Sequence, residues 1–114
     1  MKIGVVGSGT MGNGIAHSFA INNYKVILYD IKEEMLNNGL LTIQNNLKRQ
    51  INKGNISNRQ MLTTLDNISS STSIESLNDS DLIIEAATED PEIKLSIFNN
   101  LDKIVKKEII YNDN

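Results

Sequence analysis

The sequence contains no cysteine, a single proline and no long run of hydrophobic residues. Without cysteine, the chain can form neither disulfides nor thiolate nucleophiles nor cysteine-ligated metal sites. No segment approaches the roughly 20 apolar residues of a membrane span, and no basic-then-apolar leader precedes the first predicted strand. The formal net charge of −3 gives no reason to expect a nucleic-acid partner. These absences favour a cytoplasmic protein without a bound metal.

A glycine motif, Gly7-Ser8-Gly9-Thr10-Met11-Gly12, follows the first predicted strand and opens a helix. Gly7 can form the turn at the strand end, Gly9 has no Cβ to hold the backbone away from a pyrophosphate, and Gly12 lets helix and strand pack closely. The phosphates would then lie at the positive end of the helix. Asp30 follows 18 positions after Gly12, close to the roughly 20 expected of an acid that accepts hydrogen bonds from a ribose diol. The motif therefore predicts a dinucleotide site that prefers NAD to NADP.

The rest of the chain reads as alternating strands and helices. A long amphipathic helix follows Asp30 and ends near Lys53-Gly54, and Ser57 caps a shorter one, so a helical hairpin occupies about residues 33–66. The later strands are predicted at Val26–Asp30, Ile68–Ser71, Asp81–Ala86 and Ile109–Tyr111. The first helix covers Thr10–Asn22, with Met11, Ile15, Phe19 and neighbouring small residues on one side, and the last helix begins at Asp90-Pro91.

This alternation predicts an α/β fold, a Rossmann-type doubly wound parallel sheet in the order 3-2-1-4-5 with a helical-hairpin insertion after strand 2. Residues 1–114 accommodate this one domain and no second substrate domain, because single domains commonly have about 100–150 residues. Ligands of such sheets bind beyond the carboxyl ends of strands 1 and 4. The glycine motif and the segment Glu85–Glu89 are therefore expected to meet at one crevice.

The predicted hairpin has an unusual charge distribution. Between Met35 and Leu65 there is no acidic residue, while Lys48, Arg49, Lys53 and Arg59 are basic. In a net-negative chain this is a local positive patch, suited to a phosphorylated ligand such as CoA. The alternative is an ordinary solvated helix surface.

The sequence resembles the amino-terminal domain of 3-hydroxyacyl-CoA dehydrogenases at four places. These are the glycine motif continued to Ala16, Asp30, the hairpin, and the segment Ile83-Ile84-Glu85-Ala86-Ala87-Thr88-Glu89 with Lys94. The stretch Leu47–Gly54 is most similar to bacterial 3-hydroxybutyryl-CoA dehydrogenases. The resemblance covers nearly the whole chain. It implies a (3S)-hydroxyacyl-CoA oxidised at C3 by hydride transfer to NAD.

The same resemblance implies roles for particular residues. CoA would contact the hairpin at Asn46 and Lys53, where Asn46 replaces a serine common in the family. The pyrophosphate and adenosine ribose of NAD would be held by Gly7, Ser8, Gly9, Thr10, Met11, Gly12 and Asp30, and the nicotinamide half by Ala87, Glu89 and Lys94.

The sequence departs from the family pattern after the last predicted strand. Family members continue into an Asn-Thr-Ser-Ser segment, a catalytic histidine with a glutamate partner, and a helical domain that supplies dimer contacts, whereas this sequence reads Tyr111-Asn112-Asp113-Asn114. Its single histidine, His17, falls in the first predicted helix. We therefore expect a truncated family member that lacks the general base and the helical domain. The alternatives are a non-catalytic dinucleotide-binding module, one half of a split enzyme, or an FAD-binding half-domain.

Several of these residues also have a purely structural interpretation. The glycines could form only a tight turn, Asp30 could cap the following helix, and Glu89 and Lys94 could be solvated. His17 is expected to pack or face solvent on its helix, because a general base must reach the substrate hydroxyl. An exposed last strand, Ile109–Tyr111, would favour a homo-oligomer, formed through this strand or through the protruding hairpin.

Overall fold

The structure, a computed structural model, describes residues 1–86 and the backbone of residues 108–111. Strand β1 is Lys2–Val6, helix α1 is Thr10–Ile21 and strand β2 is Lys25–Tyr29. Two helices follow, α2 at Glu33–Asn52 and α3 at Asn58–Asp66. The remaining elements are β3 at Ile68–Ser71, a 3₁₀ helix at Ile74–Asp79, β4 at Leu82–Glu85 and β5 at Glu108–Tyr111.

The five strands form one parallel sheet in the order β3-β2-β1-β4-β5, as predicted. Strand β1 therefore lies between β2 and β4, and the chain reverses its direction of travel across the sheet at this point. The carboxyl ends of β1, β2 and β4 reach the same edge of the sheet. This edge is where an open α/β sheet binds its ligands.

Side chains of β1 and β2 alternate between two apolar clusters on opposite faces of the sheet. One face packs against the helices, and Val5 and Leu28 of the strands meet Ala16 of α1 and Ile43 of α2 there. On the other face, strand residues pack against Leu77 of the 3₁₀ helix. Both faces of the sheet are therefore covered, which explains why the strands read as continuous apolar runs.

Helix α1 packs against the core with its predicted side, except at Met11. Its buried residues are small, namely Gly12, Asn13, Ala16 and Ala20, whereas Ile15 and Phe19 pack only at the flank of the cluster. The side chain of Met11, predicted to be buried, is 44% exposed. Small residues let the helix axis approach the sheet closely, so the large side chains are displaced to its sides.

The ends of α2 and α3 follow the predicted signals. Helix α2 ends at Asn52, and Gly54 takes a positive φ of 77° while its N–H donates to the carbonyl of Ile51. Ser57 caps α3 by accepting from the backbone N–H of Gln60, whose side chain accepts from the N–H of Ser57 in return. Within α2, Leu36, Ile43 and Leu47 are buried, but Met35 is 39% exposed.

None of the helices within residues 1–86 combines the length and the apolar character that a bilayer crossing requires. The predicted helix after Asp90-Pro91 lies outside the described residues.

Candidate functional site

Three strand ends are joined by hydrogen bonds at the ligand-binding edge of the sheet. Val6 pairs in register with Tyr29 of β2 on one side and with Glu85 of β4 on the other. The N–H of Gly7 donates to the carbonyl of Tyr29 at 2.7 Å, and the N–H of Ala86 donates to the carbonyl of Val6 at 2.8 Å. These hydrogen bonds fix the position of the first residue of the glycine loop relative to the ends of β2 and β4.

The glycines of this loop have distinct structural roles. Gly7 has a φ of 102°, a conformation that side-chain-bearing residues rarely adopt. A Cβ on Gly12 would lie 1.6 Å from the carbonyl oxygen of Gly7, so only glycine permits this crossing of loop and helix. A Cβ on Gly9 would meet nothing within 4 Å. The predicted turn at Gly7 and the close packing at Gly12 are confirmed, and the backbone at Gly9 is open to an approaching ligand.

Helix α1 presents its amino terminus at this loop. Its N-cap residue, Gly9, contributes no side-chain cap, and the first turn contains no acidic residue. The positive end of the helix dipole is therefore not neutralised by a carboxylate of the helix itself. Together with the open space at Gly9, this arrangement fits a pyrophosphate group.

The Asp30 carboxylate lies beside the loop, at the carboxyl end of β2. Its Oδ2 accepts hydrogen bonds from the backbone N–H of Ser8 at 3.0 Å and from the Ser8 hydroxyl at 2.9 Å. Its Oδ1 accepts from the backbone N–H of Lys32 at 3.0 Å. The N-cap residue of α2 is Lys32, so Asp30 shapes the turn before the helix and does not cap it. The structure thus brings Asp30 and the glycine motif together.

Helix α2 approaches the same loop through a residue that the sequence interpretation missed. A Cβ on Gly39 would lie 2.7 Å from the carbonyl oxygen of Ser8 and 3.3 Å from its Cβ. A glycine inside an otherwise good helix costs up to about 1 kcal/mol relative to alanine, so it usually has a packing reason. The glycine at position 39, inside an otherwise good helix, was therefore the sequence signal for this close contact.

Burial shifts the pKa of one titratable group in β2 and of another in α1. Burial raises the pKa of Tyr29, and the charges of Asp30 and Glu75 raise it further. Burial lowers the pKa of His17, which is half-buried in α1. His17 lies seven residues after Thr10, about 10 Å along the helix axis, and is thus far from the phosphate-binding end. This placement agrees with the expectation that His17 packs or faces solvent on its helix.

The basic residues of the hairpin are solvent-exposed. Lys48 and Arg49 belong to the carboxyl-terminal part of α2, Lys53 follows it as the C-cap residue, and Arg59 lies in the first turn of α3. The amide oxygen of Asn46 accepts a hydrogen bond from the guanidinium of Arg49. The predicted CoA residues therefore lie in a positive region of α2 and the turn that follows it.

Among residues 1–86 no group of three or more histidine or acidic side chains could hold a metal ion. Three predicted nicotinamide-side residues, Ala87, Glu89 and Lys94, lie outside the described residues.

Comparison with known proteins agrees with this geometry. Residues 2–114 match the family model described as "3-hydroxyacyl-CoA dehydrogenase, NAD binding domain". The chain is 39% identical over 109 residues to a 3-hydroxybutyryl-CoA dehydrogenase of Bradyrhizobium diazoefficiens and 38% identical over 110 residues to one of Clostridioides difficile. Both alignments cover 96% of this chain, but only 37% and 39% of the relatives' length.

Solved structures show the same similarity. The crystal structure of (S)-3-hydroxybutyryl-CoA dehydrogenase from Ralstonia eutropha is 36% identical with a TM-score of 0.90, covering 96% of this chain and 39% of that one. The 3-hydroxybutyryl-CoA dehydrogenase of Escherichia coli is 33% identical with a TM-score of 0.92, covering 98% of this chain and 24% of that one.

Proposed function

The chain belongs to the 3-hydroxyacyl-CoA dehydrogenase family as its NAD-binding domain, and from that premise we propose that it supplies the cofactor site of an enzyme that oxidises 3-hydroxyacyl-CoA at C3. NAD, when bound, supplies the acceptor for the hydride. We propose 3-hydroxybutyryl-CoA as the substrate, because relatives named for that activity match nearly the whole chain. The observation that carries the proposal is the fixed arrangement of the glycine loop, the α1 amino terminus and Asp30.

Each part of this arrangement would bind a different part of the cofactor. The backbone of Gly7–Gly12 and the positive end of α1 would hold the pyrophosphate, with Ser8, Thr10 and Met11 as parts of that loop. Asp30 would accept hydrogen bonds from the adenosine ribose, and its negative charge would disfavour a 2′-phosphate. By family resemblance, we propose Ala87, Glu89 and Lys94 for the nicotinamide half.

The experiment that tests this proposal is a titration of the chain with NADH by calorimetry. Asp30→Ala should weaken binding about ten- to a hundredfold, because a hydrogen bond to a charged group contributes roughly 1.5–3 kcal/mol. Asp66→Ala is the matched control, since exposed Asp66 precedes β3 and so lies toward the opposite end of the parallel sheet. Equal affinity of the wild type and Asp30→Ala would contradict the role of Asp30.

The same titration tests the preference between cofactors. Asp30→Ser combined with Ile31→Arg should shift the preference toward NADPH, because it replaces the repelling carboxylate by a cation beside the 2′-phosphate. Ile31 is exposed, so the arginine can be accommodated.

We also propose that the positive region of α2 and the following turn contacts the phosphates of CoA, with Asn46 and Lys53 among the contacts. The support is the exposed basic cluster in a stretch without acidic residues.

Self-association of the chain through a sheet edge is a further proposal. The cytoplasmic location stays a prediction.

A further inference from the structure

We infer that Ser8 is a positioning residue, whose hydroxyl fixes the Asp30 carboxylate in the orientation that recognises the ribose of NAD. This inference rests on the proposed role of Asp30. It assigns to Ser8 a function other than contact with the phosphates.

The Ser8 side chain is directed into the protein. The residue is 1% exposed, and its hydroxyl donates to Oδ2 of Asp30 at 2.9 Å. A Cβ added to Gly39 of α2 would lie 3.3 Å from the Cβ of Ser8. A side chain in this position cannot turn toward a ligand without losing its hydrogen bond to the Asp30 carboxylate.

The hydrogen bonds to Asp30 define which of its atoms is left for the ligand. A carboxylate oxygen has two acceptor sites. Oδ2 accepts from both the N–H and the hydroxyl of Ser8, whereas Oδ1 accepts a hydrogen bond from the N–H of Lys32. Oδ1 is therefore the oxygen with acceptor capacity for a ribose hydroxyl. Donors on both oxygens also prevent rotation of the carboxylate.

Fixed orientation should affect NADH and NADPH differently. NADH gains from a carboxylate that is already aligned with its ribose hydroxyls, because no ordering cost remains on binding. NADPH is disfavoured by the same fixed charge next to its 2′-phosphate. Loss of the Ser8 hydroxyl should therefore weaken NADH binding and reduce the discrimination against NADPH, whereas a general loosening of the loop would weaken both cofactors equally.

The test is a double-mutant cycle measured by calorimetric titration with NADH and NADPH. Ser8→Ala retains the backbone donor, so we expect NADH affinity to fall about three- to tenfold and the NADH-to-NADPH affinity ratio to fall with it. In the Asp30→Ala background, Ser8→Ala should cause no further loss of NADH affinity. Thermal unfolding by circular dichroism confirms that each variant is folded.

Ser80→Ala is the matched control. Ser80 is fully buried, and its hydroxyl has no hydrogen-bond partner among the described residues. Ser80 precedes β4, toward the opposite end of the sheet from the loop. We expect Ser80→Ala to leave both affinities unchanged.

Two results would overturn the inference while the role of Asp30 stands. One is an unchanged NADH-to-NADPH ratio in Ser8→Ala when Asp30→Ala does weaken NADH binding. The other is full additivity in the double variant, which would mean that Ser8 contacts the cofactor itself. A lack of effect of Asp30→Ala on NADH would instead overturn the proposed role of Asp30 and the inference together.

Discussion

Single glycines in helix α1 illustrate how closely the site depends on local packing. Gly12 and Gly14 are two positions apart in the same helix, yet their surroundings differ completely. The Cβ of an alanine at position 12 would overlap the carbonyl oxygen of Gly7, whereas one at position 14 would meet nothing within 4 Å. Only Gly12 is therefore required by the crossing of loop and helix.

This contrast gives a matched pair of substitutions. Gly12→Ala should separate the loop from the helix, lower the free energy of unfolding by about 1–3 kcal/mol and weaken NADH binding more than tenfold. Gly14→Ala should raise the free energy of unfolding by up to about 1 kcal/mol, because alanine has the better helix propensity. Urea denaturation and NADH titration measure both effects. Similar stability in the two variants would contradict the role assigned to Gly12.

The sequence could predict the residues that a spacing rule governs, but not their tertiary partners. The glycines and Asp30 are recognisable because a dinucleotide site needs them at fixed separations along the chain. The hydrogen bonds between Ser8 and Asp30 join residues 22 positions apart. The close approach of Gly39 to Ser8 depends on how α2 packs. Neither contact has a periodic signal in the sequence.

At the scale of elements, the strands and helix ends were more predictable than the helix faces. Strand β3 pairs with β2 although three of its four residues are serine. The hydrogen bonds of this pairing are made by the backbone, so they do not require apolar side chains. The predicted side of α1 was wrong only at Met11, because apolar periodicity does not distinguish the exposed first residues of a helix from its packed middle. Propensity alone does not distinguish a close helix contact from a distant one.

The positive region of α2 and the following turn leads to a prediction about CoA binding. Lys53→Glu should weaken binding of free CoA about three- to tenfold at low ionic strength, and the effect should shrink with added salt because exposed charges are screened over roughly 8–10 Å. Lys25→Glu is the control, since exposed Lys25 begins β2 and lies outside the hairpin. An equal effect of the two substitutions would indicate general attraction to the protein charge and contradict a CoA site at Lys53.

At the scale of the whole molecule, the strand order follows from general rules more than from particular residues. Right-handed crossovers and one reversal after β3 give the order β3-β2-β1-β4-β5, and the crevice follows from that reversal. The strand order predicts that the segment Glu85–Glu89 reaches the crevice on the side of β4, but the roles of individual residues there could be predicted only through the family resemblance. Ala87, Glu89 and Lys94 therefore stay predictions, while the loop side rests on described contacts.

The sheet order also leads to a prediction about association. Among the described strands, β3 and β5 form the two edges, and each hydrogen-bonds to one neighbouring strand, β2 and β4 respectively. The outer backbone groups of an edge strand can pair with another chain. Strand β5 contains Ile109 and Ile110, whereas β3 is mostly serine, so we expect association through β5.

Light scattering over a dilution series should therefore give the mass of a dimer or larger species at high micromolar concentration. Ile110→Lys should shift the mass toward the monomer, because lysine on an edge strand opposes pairing with a second edge. Ser70→Lys places the same charge on β3, where Ser70 is exposed, and should leave the mass unchanged. A monomeric wild type throughout the series would contradict the prediction, and dissociation by Ser70→Lys alone would move the interface to the β3 edge.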